Sequence, residues 1–162
     1  MIKTMEQWLT GKRLLIILTT AAAVWFSFTA VMTVLRYRLN YASAYDYGIF
    51  SQMYYYMDKG LSPLTTCERD GLLSHFAVHL SPVFYVLLPL YKLVPRPETL
   101  LVLQSLVVIS GMVPLCLLAR TFCFTRLQTL CFGLMYCFYP AFMGACFYDV
   151  HENKFLAVII LW

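Results

Sequence analysis

Apolar residues run almost unbroken from Leu14 to Leu35, from Leu100 to Leu118 and from Leu127 to Phe147, and a further run begins at Phe155 and continues to Trp162. Each of the first three runs is close to the roughly 20 residues that a helix needs to cross the hydrocarbon layer of a bilayer. The pattern therefore predicts transmembrane helices at about 14–35, 98–119 and 127–147, with the start of a fourth at 155–162. The expected fold is an all-α integral membrane bundle. Between the first two runs, residues 36–97 form a long polar-interrupted loop with two helical signals of its own. From Ala44 to Met57, the residues Ile49, Phe50, Met53, Tyr54 and Met57 recur at helical spacing, as on an amphipathic helix lying at a membrane interface. From Pro82 to Val94 the chain is apolar but spans only about 13 residues, or ~20 Å of helix. That is too short to cross, and Tyr85, Tyr91, Lys92 and Arg96 suit an interfacial helix ended by Pro95 and Pro97.

Composition agrees, with 61% hydrophobic and 12% charged residues and a mean hydropathy of +0.71, which excludes an ordinary soluble domain. Charge then sets the orientation. Lys3, Lys12, Arg13, Arg120 and Arg126 share one side with Glu6 as the only acid, whereas the other side mixes bases and acids. By the positive-inside rule the N-terminus is cytoplasmic and the first run is an uncleaved signal anchor, its length exceeding a cleavable signal core. The multi-pass chain is expected in the plasma membrane. Its last run stops at Trp162, which reads as the N-terminal portion of a longer protein. The six cysteines show no metal-binding spacing and read as packing residues.

This topology places Asp46, His75, His79, Asp149, His151 and Glu152 on the outer face together. Asp46, among aromatic residues just after the first span, suits a general base, although Ser43-x-x-Asp46 also approximates a helix capping box. His75 and His79 are four apart, the spacing of a metal-binding pair on a helix, with no third ligand nearby. Asp149-Val150-His151-Glu152 offers three ligands for Mg²⁺, Mn²⁺ or Zn²⁺. Capping explains two of them, with Asp149 as N-cap and Glu152 at the third helical position, and leaves His151 over. Thr125 and Gln128 form the equivalent capping box before the third run. Gln104, Ser105, Ser110, Gly111 and Pro114 read as packing or kink positions within the second run.

Three short motifs in fixed order carry a resemblance: Tyr45-Asp46-Tyr47-Gly48-Ile49-Phe50-Ser51-Gln52, then His79-Leu80-Ser81-Pro82 before the short apolar run, then Tyr148-Asp149-Val150-His151-Glu152. From Tyr45 onward the chain resembles the N-terminal third of the predicted membrane proteins grouped as domain of unknown function 2079. That family looks like a branch of the GT-C glycosyltransferases, which move a sugar from a polyprenyl-phosphate carrier to an acceptor outside the membrane. The resemblance implies Asp46 as the catalytic acid and Asp149, His151 and Glu152 as a second acidic cluster. For the chemistry that follows, Asp46 is the expected base, a divalent cation held by that cluster or the charge of Arg69 neutralises the departing phosphate, and His79 is expected beside Arg69 as a phosphate-binding residue. Ser51 stands where an acid is frequent, so the first motif lacks a second carboxylate. Membrane lipid and a polyprenyl-phosphate sugar are the implied partners, nucleic acid is not, and the oligomeric state is left open. The competing reading is a non-enzymatic transporter subunit or scaffold, or an inactive remnant. Under the scaffold reading the acids only cap helices, and Asp46 lies far from Asp149.

Overall fold

The computed structural model describes residues 2–42 and 44–162. A short helix, α1 (Ile2–Trp8), leads into α2 (Gly11–Arg38). The 28 residues of α2 make a rod of about 42 Å. Its start is fixed by Thr10, whose side chain accepts from the Arg13 N–H at 3.3 Å, and Arg36 and Arg38 in its last turn complement the negative end of the helix dipole. The hydroxyls of Thr19, Thr29 and Thr33 return to carbonyls of the preceding turn at 2.8–2.9 Å. These three hydroxyls are thus satisfied within the helix, as lipid surroundings demand.

The loop that follows holds α3 (Ala44–Asp58), a two-stranded antiparallel ribbon of β1 (Leu64–Thr65) and β2 (Leu73–Ser74), a 3₁₀ turn at His75–Ala77, and α4 (Val83–Tyr91). The ribbon departs from the expected all-α fold, its two-residue strands being too short to leave an alternating signature in the sequence. The predicted stripe on α3 is the buried one: Ile49, Phe50, Met53, Tyr54 and Met57 are all nearly inaccessible. Phe50, Met53, Tyr54 and Met57 pack on Phe84, Leu87 and Tyr91 of α4 and on Leu100 and Leu101. Each such large apolar side chain contributes about 1.5–3 kcal/mol on burial. Tyr54, inside this cluster, donates its hydroxyl to the Phe84 carbonyl at 2.9 Å. At nine residues, α4 reaches only about 14 Å, less than a bilayer crossing.

Next come α5 (Pro97–Ser110) and α6 (Met112–Thr121), separated by a one-residue break at Gly111. Among the described residues two helical segments are long and apolar enough to cross a membrane, α2 and the joined α5 and α6. Arg38 at the end of α2 meets Glu98 at the start of α5 at 3.3 Å, while Leu18 near the start of α2 shares a cluster with Met112 of α6. The two segments therefore run antiparallel.

The stretch expected as one span over 127–147 is divided into α7 (Arg126–Phe138) and α8 (Pro140–Phe147). Pro140 supplies no N–H and steers Tyr139 out of the helical region, to an extended ψ of 117°. The 13 and 8 residues that result are each too few to span alone. The capping box of Thr125 and Gln128 is present. Two glycines permit close packing here: a Cβ on Gly133 would strike Leu18 of α2, and one on Gly111 would overlap the Tyr136 hydroxyl. A 3₁₀ turn at Glu152–Phe155 and α9 (Leu156–Leu161) complete the chain.

Candidate functional site

Since α2 and α5–α6 run in opposite directions and α7–α8 return, the segment before α3 and the segment after α8 arrive at the same end of the molecule. Tyr148 donates its hydroxyl to Asp46 Oδ2 at 3.2 Å across 102 positions of sequence. This bond stabilises the protonated phenol, and Tyr148 has its pKa raised accordingly. The scaffold reading expected these regions to lie apart. Asp46 sits in the first turn of α3, as a capping role also requires; the expected partner in that box, Ser43, lies outside the described residues.

Beside Asp46 is a cavity of about 390 Å³ whose wall includes Glu68, Arg69, His75, His79 and His151. Five residues singled out in the sequence, Asp46, Arg69, His75, His79 and His151, thus face one space, together with Glu68. The loop carrying Glu68 and Arg69 is anchored to α3 through Gln52, whose side-chain oxygen accepts from the Thr66 N–H at 2.8 Å. Arg69 is fixed by donating to the Ser74 carbonyl at 2.6 Å, and its buried Nε has no hydrogen-bond partner among the described residues.

Glu68 and His75 form a pair the sequence did not suggest. His75 Nδ1 lies 2.9 Å from Glu68 Oε2, with side-chain exposures of only 2% and 9%. A carboxylate at Nδ1 holds the proton on that nitrogen and leaves Nε2 as the reactive one. His75 Nε2 is buried without a hydrogen-bond partner among the described residues. Phe50 packs edge-on against both His75 and His151, with ring centroids 5.3 and 5.7 Å apart. The expected His75–His79 pair is close, at 5.8 Å between rings, but on a 3₁₀ turn and its continuation rather than on an α-helix.

The Asp149–Glu152 segment differs from its sequence reading. His151, not Asp149, is the N-cap, and its Nδ1 accepts from the Asn153 N–H at 3.3 Å. The reason is that the first turn is 3₁₀ and starts two residues later than expected, so the residue thought superfluous to capping performs it. His151 Nδ1 also lies 3.2 Å from Glu152 Oε2. That contact needs a proton on the nitrogen and the cap bond needs a lone pair, so the ring makes one or the other. Asp149 is buried, at 3% exposure. Among the described residues no three His, Cys, Asp or Glu side chains converge as ligands of one ion.

Two contributors were missed. Gln104 of α5, fully buried, accepts from the His151 N–H at 3.2 Å and donates to the Cys146 carbonyl at 3.4 Å, which ties the site to the apolar segment. Lys154 donates to the Asp149 carbonyl and stands over the Tyr148 ring at 5.3 Å. Burial pushes the Lys154 ammonium down to about 8, against the opposing attraction of Asp149 and Asp46. A partly dehydrated ammonium beside Asp46 could have been suspected only from its place in the motif region, since its burial is tertiary.

No curated protein and no solved structure gives a match to this chain. Residues 35–162, which hold every residue of the cavity and of the Asp149–Glu152 segment, match the family of predicted membrane proteins known as DUF2079, and the chain belongs to that family.

Proposed function

We propose that this chain is part of a multi-span plasma-membrane glycosyltransferase of the GT-C type, its N-terminus cytoplasmic and its Asp46 end outside. The donor in this reading is a polyprenyl-phosphate-linked sugar. The observation that carries it is the meeting of Asp46, Arg69, His79 and His151 at one cavity, with Lys154 adjacent, at one end of two membrane-length helices. A carrier whose tail lies in lipid would meet the cavity at headgroup level.

The chemistry follows from the residues. Asp46 takes the proton of the acceptor hydroxyl as its oxygen bonds to the sugar's anomeric carbon. The bond from that carbon to the phosphate oxygen breaks, and the polyprenyl phosphate leaves with the electron pair. Arg69 and Lys154 supply the positive charge that stabilises it. Tyr148 holds the Asp46 carboxylate in place through the 3.2 Å bond. Glu68 orients His75 so that Nε2 serves as a donor or acceptor to the bound headgroup. Among the described residues Asp149, His151 and Glu152 do not converge on one point as the ligands of a single ion.

The test is photo-crosslinking of a polyprenyl-phosphate-linked hexose carrying a diazirine, with the full chain in proteoliposomes. Adducts are expected on α3 and on residues 66–79, competed by the unlabelled donor. They should persist in Asp46→Asn and fall in Arg69→Ala and Lys154→Met. Labelling spread over the whole apolar surface and unchanged in all three variants would contradict the reading.

A further inference from the structure

A second cavity lies at the opposite end of the molecule. It is a groove of about 740 Å³ between α2, α6 and α7, within the range of about 300–1,000 Å³ typical of ligand pockets. Its walls are apolar, from Leu14, Leu15 and Leu18 of α2 to Met112, Cys116 and Leu117 of α6, and Arg120 and Arg126 close one end. Both arginines are exposed, and neither has a carboxylate within ion-pair distance among the described residues.

Glu6, the only acid near this end of the chain, does not neutralise them. Its two carboxylate oxygens accept from the backbone N–H groups of Arg126 and Leu127, at 2.9 and 3.0 Å, and so cap the start of α7. The Arg126 side chain spends one bond on the Leu9 carbonyl at 3.4 Å, and Arg13 donates to the Trp8 carbonyl at 2.7 Å. Trp8, Phe122 and Phe124 are exposed around the same end, the placement of aromatic residues at a membrane interface. Positive charge at headgroup level above an apolar groove is complementary to one kind of molecule, an anionic lipid with its tail in the groove.

We propose that this groove is a binding site for one anionic glycerophospholipid, its phosphate between Arg120 and Arg126 and an acyl chain along α2 and α6. The site is independent of the glycosyl-transfer reading. It places a structural lipid in the groove between α2 and α6, filling apolar volume that the protein itself leaves open.

The experiment is native mass spectrometry of the purified full chain in detergent with phosphatidylglycerol or phosphatidylcholine of matched acyl chains. One phosphatidylglycerol per chain should be retained with a preference of roughly twenty-fivefold, about fivefold for each arginine. Because both arginines are exposed and Glu6 binds backbone, the Arg120→Ala, Arg126→Ala double variant should fold and lose that preference. Leu117→Trp, which fills the groove without changing charge, should reduce retention of both lipids. Equal retention of the two lipids by the native chain, an unchanged preference in the double variant, or displacement by inorganic phosphate alone would each overturn the proposal. So would a dimer that buries the groove.

Discussion

At the Arg38 end of α2, opposite charges and hydrogen-bonding groups meet one another: Arg38 with Glu98, Glu68 with His75, Glu152 with His151 and Tyr148 with Asp46. At the Gly11 end, Glu6 is consumed by backbone N–H groups, and Arg120 and Arg126 face no carboxylate among the described residues. Groups paired with one another hold fixed positions, which reacting atoms need, and Glu68 and His75 are buried as well; unpaired, exposed arginines attract whatever anion the surroundings provide. The same two helices therefore carry a preorganised cluster at one end and a charge-selective groove at the other.

The sharpest way to break the contrast is at Asp46. Asp46→Asn keeps the size and loses the base, so sugar transfer should fall on the order of 10²–10⁴-fold, measured as release of polyprenyl phosphate, with the thermal transition nearly unchanged. Next is Phe84→Ala, which opens the cluster under α3 and should cost about 3–5 kcal/mol and disorder the Asp46 end first. Hydrogen exchange should then rise in α3 and α4 and not in α7.

Gln104→Leu comes third. Leaving the partly buried His151 N–H without its acceptor costs about 1–3 kcal/mol, read as a lower thermal transition together with weaker donor crosslinking. A pH series sharpens the role of Lys154. With its pKa pushed down to about 8, the ammonium is lost above that pH, and turnover should fall by about tenfold per pH unit. Lys154→Arg should remove that limb. The stability effect has the opposite sense: below about 8 the buried charge is a cost, and the cost fades as pH rises from about 8 toward 10.5, because the folded state releases the proton first. Smallest is Thr125→Ala at the start of α7, expected to lower stability by about 1 kcal/mol without altering donor crosslinking.

How much of this was legible in the sequence depended on the range of the interaction responsible. The apolar length of α2, the buried stripe of α3 and the capping box of Thr125 and Gln128 are local features, written in consecutive residues. The division between α7 and α8 is local too: apolar length alone predicts one span there, while Pro140 stops the hydrogen-bond ladder inside it. His151 was misjudged because a 3₁₀ start shifts the cap by two residues. Glu68–His75, Gln104 and Lys154 depend on segments brought together by the fold, and no spacing rule links them. Asp46 and Asp149 were expected on one face only because Pro82–Val94 was too short to cross, and α4 has that short length.

The central claim is that the Asp46 and Tyr148 segments form one site on one side of the membrane. It is tested most directly with Asp46→Cys and Tyr148→Cys, singly and together, in a background freed of native cysteines. Intact cells are treated with an impermeant thiol reagent and, for the double variant, a short rigid bis-maleimide. The account predicts that both positions react from outside and are joined within one chain by the cross-linker. Reaction from opposite sides, or single adducts without a cross-link, would contradict it.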